Sequence, residues 1–163
     1  MNIKFCKMDN QAIIPTKRDE DAAFDLYAIT SDEHILKPNC STKFYTGLKA
    51  IIPDDVWVLF KERSSTGSCG LSIRSGVIDS GYRGEWIVTM TNCSEYTMIF
   101  TDETTKPYFN EEEKTWHIGL GKAIAQFIVM PKLEVSSEEI DEASFSAAPK
   151  TLRGEGGWGS SGK

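Results

Sequence analysis

Short blocks of alternating apolar and polar residues, separated by turn-forming residues, constrain the fold of this chain more than any other feature. Because successive side chains of a strand point to opposite faces, such blocks are typical of half-buried strands. Turn signals such as Pro53-Asp54-Asp55 and Ser80-Gly81 lie between them. The spacing predicts an all-β sandwich or barrel. The clearest strand blocks are Ala50 to Pro53, Val56 to Phe60, Trp86 to Thr91 and Ile124 to Met130.

One short helix is predicted from about Thr66 to Leu71, directly after Arg63-Ser64-Ser65. Gly67 and Gly70 disfavour it by propensity.

The length of 163 residues fits one domain, 1–163, which should bury roughly 70% of the surface of its unfolded chain. Residues 94–120 read as an insertion between two apolar strands. Alternation in Thr97 to Phe100 and in Thr115 to Ile118, around polar Asn110 to Lys114, predicts a β-hairpin there, for packing or assembly rather than for catalysis. Residues 134–163 form a predicted C-terminal arm, whose glycine-rich end cannot build a core element.

Composition excludes several function classes. The net charge of −6 disfavours a stable nucleic-acid surface, and no apolar run approaches the roughly 20 residues of a membrane span. The N-terminus lacks the pattern of a secretory signal, so we expect a cytoplasmic protein, or one made in the host cytoplasm by a virus or phage. Four widely spaced cysteines without a C-x-x-C pair argue against a zinc or redox site, and His34 and His117 stand alone.

Three segments suggest phosphate chemistry. In Arg63-Ser64-Ser65 a guanidinium and two hydroxyls follow a strand, where phosphate could dock, although for the tripeptide by itself an ordinary loop is the favoured reading. In Gly76 to Glu85, Asp79 could deprotonate a water and Tyr82 could pack flat against a sugar or base, or Asp79 could only hold the turn. In the tail from Arg153 to Gly162, the Arg153 guanidinium could bind two phosphate oxygens, and the glycines would allow the backbone to approach a phosphate closely. Alternatively, the tail is a flexible linker.

Together these segments resemble the motifs of the trimeric dUTPases. The resemblance is carried in order, across nearly the whole chain, by Ala22 to Leu26, Arg63 to Ser65, Gly76 to Glu85, Gly121 to Gln126 and Arg153 to Gly162. It implies a dUTPase-like jelly-roll, or β-clip, barrel that assembles as a homotrimer with a flexible arm. It also implies hydrolysis of dUTP to dUMP and pyrophosphate with Mg²⁺, which limits uracil incorporation into DNA and supplies dUMP for dTMP synthesis.

The resemblance also implies roles for single residues. Asp79 would activate the water that attacks the α-phosphorus, and Asp25 would hold Mg²⁺ through water. Tyr82 would lie against the deoxyribose, Arg153 would clamp the γ-phosphate, and Trp158 would stack on uracil. The other implied substrate-binding residues are Arg63, Ser64, Ser65, Gly76, Val77, Ile78, Ile87, Gln126, Gly159 and Ser160.

Four positions depart from the family pattern: Ala23 for glycine, Glu62 for proline, Ala123 for arginine and Trp158 for phenylalanine. None removes an implied catalytic group. Two alternatives remain: a dCTP deaminase of the same fold, against which the tail argues, and a dUTPase that also grips a regulatory protein partner through residues 94–120.

Overall fold

The computed structural model describes residues 1–29, 33–102, 104 and 106–156. These form an almost all-β chain with two short helices, α1 (Ser64–Gly67) and α2 (Glu142–Ser146), which confirms the predicted fold class. The strands are β1 (Lys4–Lys7), β2 (Ala23–Leu26), β3 (His34–Leu36), β4 (Ser41–Tyr45), β5 (Leu48–Ile51), β6 (Val56–Lys61), β7 (Leu71–Arg74), β8 (Val77–Ile78), β9 (Ile87–Asn92), β10 (Thr97–Thr101), β11 (Tyr108–Asn110), β12 (Thr115–Gly119) and β13 (Ala125–Pro131).

The strands make four small sheets, all within residues 1–133. Two sheets have four strands, in the orders β2-β13-β6-β8 and β11-β12-β10-β3; the others are β4-β9-β7 and the pair β1-β5. The long central strands β6 and β13 pair antiparallel from Lys61 opposite Gln126 to Val56 opposite Pro131. The four predicted strand blocks correspond to β5, β6, β9 and β13, with ends shifted by one or two residues.

The predicted helix is displaced. It begins at Ser64, two residues earlier than expected, and ends at Gly67 instead of Leu71. The Thr66 hydroxyl explains the early start, because it accepts from the Arg63 N–H and donates to the Arg63 carbonyl, both at 3.2 Å. Gly70, at φ +93°, ends the turn in a conformation that a helix excludes.

The pairing predicted inside residues 94–120 is wrong in its partners. Thr97 to Phe100 and Thr115 to Ile118 do lie in strands, but β10 and β12 run parallel, in register from Thr97 opposite Thr115. The hairpin instead joins β11 to β12. Alternation indicates which residues share a face, but it does not indicate strand direction. The segment also reaches the core, since Met98, Phe100, Ile118 and Leu120 are buried.

The segment Gly76 to Glu85 also differs from the expected hairpin. A turn is present at its centre, where the Tyr82 N–H donates to the Asp79 carbonyl at 3.0 Å. The strands on either side of this turn, however, belong to different sheets: β8 pairs with β6, whereas β9 pairs with β4 and β7. The turn therefore passes between sheets.

The core is centred on Trp86, which is 0% exposed. Its ring meets Phe5, Phe60 and Phe127 at centroid distances of 5.2, 5.4 and 5.2 Å, in edge-on contacts that aromatic pairs favour. Its indole N–H has no hydrogen-bond partner among the described residues. Through these ring contacts, β1, β6 and β13 pack against the residue that directly precedes β9.

Residues 134–163 form a second compact unit. Its helix α2 is capped at its N-terminus by Asp141, whose side chain accepts from the Ser144 N–H at 2.7 Å. This backbone hydrogen bond lowers the pKa of Asp141 below its usual value. Within the described residues, neither α1 nor α2 is long or apolar enough to cross a membrane.

Candidate active site

A cavity of about 920 Å³ collects five of the predicted site residues. We call it the arginine cavity. It lies at one end of the β2-β13-β6 sheet, because Asp25 on β2 faces Gln126 on β13, which faces Lys61 at the end of β6. The predicted residues that line it are Asp25, Arg63, Ser64, Ser65 and Gln126.

Arg63 is held in place from two sides of this cavity. Its Nε lies 3.0 Å from Asp25 Oδ1, and its NH1 donates to the Ala123 carbonyl at 3.0 Å. Both charged side chains are about one third exposed, at 32% and 37%, so the ion pair stays accessible to a ligand. An arginine carries five N–H donors, which leaves others for an anion.

Gln126 and the two serines complete one wall. The Gln126 side-chain amide donates to the Glu62 carbonyl at 2.8 Å, which fixes its orientation and leaves a second N–H. Ser64 and Ser65 are exposed at the start of α1, directly after Arg63. A guanidinium, two hydroxyls and an amide therefore converge, which is a donor set suited to phosphate oxygens.

Sequence reasoning missed one side of the arginine cavity. Lys17, Arg18, Glu20 and Asp21 also line it. Arg18 pairs with Asp21 at 2.9 Å, and this hydrogen-bonded pair lowers the pKa of Asp21 and raises that of Arg18. The signal that could have revealed this wall is the basic pair Lys17-Arg18, placed just before Ala22 to Leu26 in an acidic protein.

The described carboxylates of the arginine cavity are not grouped into an all-protein metal cage. Among the described residues, no group of three or more His, Cys, Asp or Glu side chains could hold a metal ion. A single accessible carboxylate such as Asp25, which keeps one oxygen on Arg63, fits a cation that retains most of its water and takes its other ligands from a bound phosphate, as Mg²⁺ commonly does.

A separate cavity of about 360 Å³ collects the residues around the turn between β8 and β9. We call it the turn cavity. Asp79 is exposed at its edge, and Tyr82 is 42% exposed with its hydroxyl donating to the Glu85 carbonyl at 3.0 Å. Arg83 NH1 braces the turn through the Ser80 carbonyl at 2.6 Å. The predicted residues that line it are Val77, Ile78, Asp79, Tyr82 and Ile87. The lining residues that were not predicted as site residues are Lys43, Ser75, Glu85 and Thr89.

Gly76 lies behind the turn cavity and does not line it. Its carbonyl accepts from the Phe60 N–H at 2.8 Å, and a Cβ at this position would come within 2.8 Å of the Phe60 carbonyl oxygen. Glycine is therefore required for the close approach of this segment to β6.

The arginine cavity and the turn cavity share no lining residue. In the sheet β2-β13-β6-β8, Asp25 aligns with Lys61 through Gln126, whereas Ile78 aligns with Val58. Three strand spacings of about 4.8 Å and three residues of about 3.4 Å separate Asp25 from Ile78, a diagonal of roughly 17 Å. Within the described residues, neither of these cavities is lined by both Asp79 and Arg63.

The tail residues lie in the second unit. Arg153 Nε donates to the Gly156 carbonyl at 2.9 Å, and the Gly156 N–H donates back to the Arg153 carbonyl at 3.0 Å. Trp158, Gly159 and Ser160 lie outside the described residues.

Comparison with known proteins places these features in one family. The family model of dUTPase matches residues 9–105. The deoxyuridine 5'-triphosphate nucleotidohydrolase of Clostridium novyi is 32% identical over 165 residues, covering 96% of this chain and 95% of that protein.

Solved structures agree in fold. A variant of the Staphylococcus bacteriophage 80alpha dUTPase with dUpNHpp has a TM-score of 0.76 at 23% identity, covering 99% of both chains. The native EIAV dUTPase has a TM-score of 0.63 at 26% identity, covering 86% of this chain and 98% of its own. The family match over residues 9–105 and the relative that is 32% identical over 96% of this chain show that this protein belongs to the dUTPase family of hydrolases.

Proposed function

We propose that this chain hydrolyses dUTP to dUMP and pyrophosphate in a site assembled from the arginine cavity of one copy and the turn cavity of another. The observation that carries this proposal is the division of the site residues. The phosphate-binding donors and the candidate base line different cavities, whose residues Asp25 and Ile78 lie roughly 17 Å apart across the sheet, whereas a general base must act within about 3 Å of its water.

In this mechanism Arg63, Ser64, Ser65 and Gln126 bind phosphate oxygens. Asp79 takes the proton from the water that attacks the α-phosphorus, and pyrophosphate leaves. Asp79 suits this step because it is exposed at a turn that Arg83 braces, so its carboxylate is free to meet a neighbouring copy. The fixed donors stabilise charge that develops on the phosphoryl oxygens.

A Mg²⁺ ion is proposed as cofactor, bound mainly to the substrate phosphates and held by Asp25 through water. When bound it supplies positive charge to the triphosphate. Arg63 would then keep the Asp25 carboxylate oriented, since the two side chains already meet at 3.0 Å.

The turn cavity is proposed to hold the nucleoside. Backbone groups of Val77 and Ile78, with the neighbourhood of Ile87, would read uracil, and Tyr82 would leave no room for a ribose 2′-hydroxyl. The 59% exposure of Val77 and the 42% exposure of Tyr82 leave this surface open in one chain. Arg153 and Trp158 of a C-terminal arm are proposed to cover the γ-phosphate and the base.

A pyrophosphate-release assay across the deoxynucleoside triphosphates and UTP tests the activity. We expect strong selectivity for dUTP, and a fall of about 10²–10⁴-fold in turnover for Asp79→Asn with little change in nucleotide affinity. Asp54→Asn, a change of the same size in another turn, serves as the matched control. Near-normal turnover of Asp79→Asn would remove this carboxylate from the mechanism.

Two other readings make different predictions. A dCTP deaminase of this fold would release ammonia from dCTP and no pyrophosphate from dUTP. A regulatory role through residues 94–120 would be seen as partner binding that is lost when the β11–β12 hairpin is changed. Because β10 and β12 carry buried core residues, such a variant should alter only 111–114.

A further inference from the structure

A third cavity, of about 500 Å³, lies beside the arginine cavity and shares Arg63 and Ser65 with it. We call it the lysine cavity. Its volume falls within the range of small-molecule sites. Its other lining residues are Ser68, Cys69, Lys106, Pro107, Trp116 and Lys122.

The charge of this lining is one-sided. Arg63, Lys106 and Lys122 contribute positive charge, and no Asp or Glu is among the described residues that line the cavity. Arg63 is paired with Asp25, but neither lysine lies within 4.0 Å of a carboxylate in the described part of the chain. In a protein with a net charge of −6, two lysines in one cavity that have no carboxylate partner within the described residues favour the binding of a small anion.

The largest apolar side chain in the lining is the indole of Trp116. Trp116 is partly buried, and its ring packs against Phe109 at a centroid distance of 5.3 Å, which fixes the ring at the end of the core. An aromatic ring held in this way can stack on a planar base, and base stacking tolerates any nucleobase. Pro107 adds a second rigid apolar wall.

We propose that the lysine cavity binds a nucleotide distinct from the substrate, with its phosphoryl group on Lys106, Lys122 and the unused donors of Arg63, and its base on Trp116. Arg63 links this ligand to the arginine cavity, because the same guanidinium contacts Asp25 and the Ala123 carbonyl that directly follows Lys122. A bound phosphoryl group takes up Arg63 donors that would otherwise bind the substrate phosphates, so occupancy raises the KM for dUTP.

Calorimetric titration of the full-length protein tests this site directly. The α,β-imido analogue of dUTP with Mg²⁺ is added first, so that the substrate site is filled, and then dTMP, thymidine or inorganic pyrophosphate is titrated. We expect a single dTMP to bind per chain, with thymidine at least about tenfold weaker because it lacks the charge-assisted contacts. The double variant Lys106→Met/Lys122→Met should bind dTMP at least about tenfold more weakly.

The matched control is Lys49→Met/Lys132→Met, which removes the same charge from two exposed lysines outside the cavity and should change dTMP affinity by less than about twofold. Trp116→Leu should weaken dTMP but not pyrophosphate, which has no base. The lysine variants change exposed side chains, so their result does not depend on a fold defect.

The proposal is overturned if dTMP does not bind, if the lysine double variant binds it as well as the unchanged protein, or if thymidine binds equally well. Equal affinity for pyrophosphate and dTMP, with no effect of Trp116→Leu, would show a bare phosphate site and refute the nucleotide. Because these readouts measure binding, they hold whether or not the chain hydrolyses dUTP.

Discussion

If the active site combines the arginine cavity of one copy with the turn cavity of another, two inactive variants should restore activity together. The first variant, Asp79→Asn, loses the base but keeps the phosphate donors. The second, Arg63→Ala/Ser64→Ala, loses phosphate donors but keeps the base. Each assembly made of one variant alone should retain about 1% of normal turnover or less, since general-base catalysis contributes about 10²–10⁴-fold and charge-assisted contacts about 1.5–3 kcal/mol each.

The expected recovery follows from counting interfaces. The two variants are coexpressed with different tags, and assemblies that carry both tags are purified. In a ring of three copies with mixed composition, one interface joins an intact arginine cavity to an intact turn cavity, so about one third of the sites should be active. In a two-copy assembly the fraction would be about one half.

The rate of pyrophosphate release per chain, divided by the rate per chain of the unchanged protein, measures the fraction of active sites. Assemblies that carry Asp79→Asn under both tags provide the control and should stay inactive. If doubly tagged assemblies of the two different variants were equally inactive, the site would not combine the arginine cavity of one copy with the turn cavity of another, and the proposal would be refuted.

Three further results are expected. Phe100→Ala should lower the free energy of unfolding by about 3–5 kcal/mol, because the ring is fully buried and packs against Phe44. Tyr108→Ala, at a side chain that is 49% exposed, should lower it by less than about 1 kcal/mol. Equal melting temperatures for the two variants would refute an integral role for β10. Tyr82→Ala should narrow the preference for dUTP over UTP, and an unchanged kcat/KM ratio would place sugar selection elsewhere. Burial raises the pKa of the Cys69 thiol, so its alkylation should need a more alkaline pH than that of the exposed thiols Cys6, Cys40 and Cys93. Equal labelling rates for all four thiols at pH 8 would contradict this.

Sequence patterning predicted the strands well because burial on one face imposes a two-residue period. Val56 to Phe60 alternates because Val56, Val58 and Phe60 point into the core while the intervening side chains are less buried. Strand direction does not change this two-residue period. The parallel pairing of β10 with β12 depends on the path of the connecting chain, which the alternation in either strand does not encode.

The site residues were predictable where a motif combines several functional groups. Arg63-Ser64-Ser65 and the Asp79-to-Tyr82 turn each place several functional groups within four residues, and both line cavities. Lys43 was not predictable in this way, because single lysines are common on surfaces and only folding brings this one to a cavity wall. The separation between the two cavities likewise follows from register, which the sequence does not state.

The solvent-free environment of Trp86 has a consequence for spectroscopy. An indole that is surrounded by three phenylalanines and has no acceptor for its N–H among the described residues should emit at the blue edge of the tryptophan range, out of reach of iodide. Its emission should remain constant as long as the core is folded. Any ligand-dependent change in fluorescence can therefore be assigned to the more accessible indoles, with Trp86 as an internal intensity standard within the same molecule.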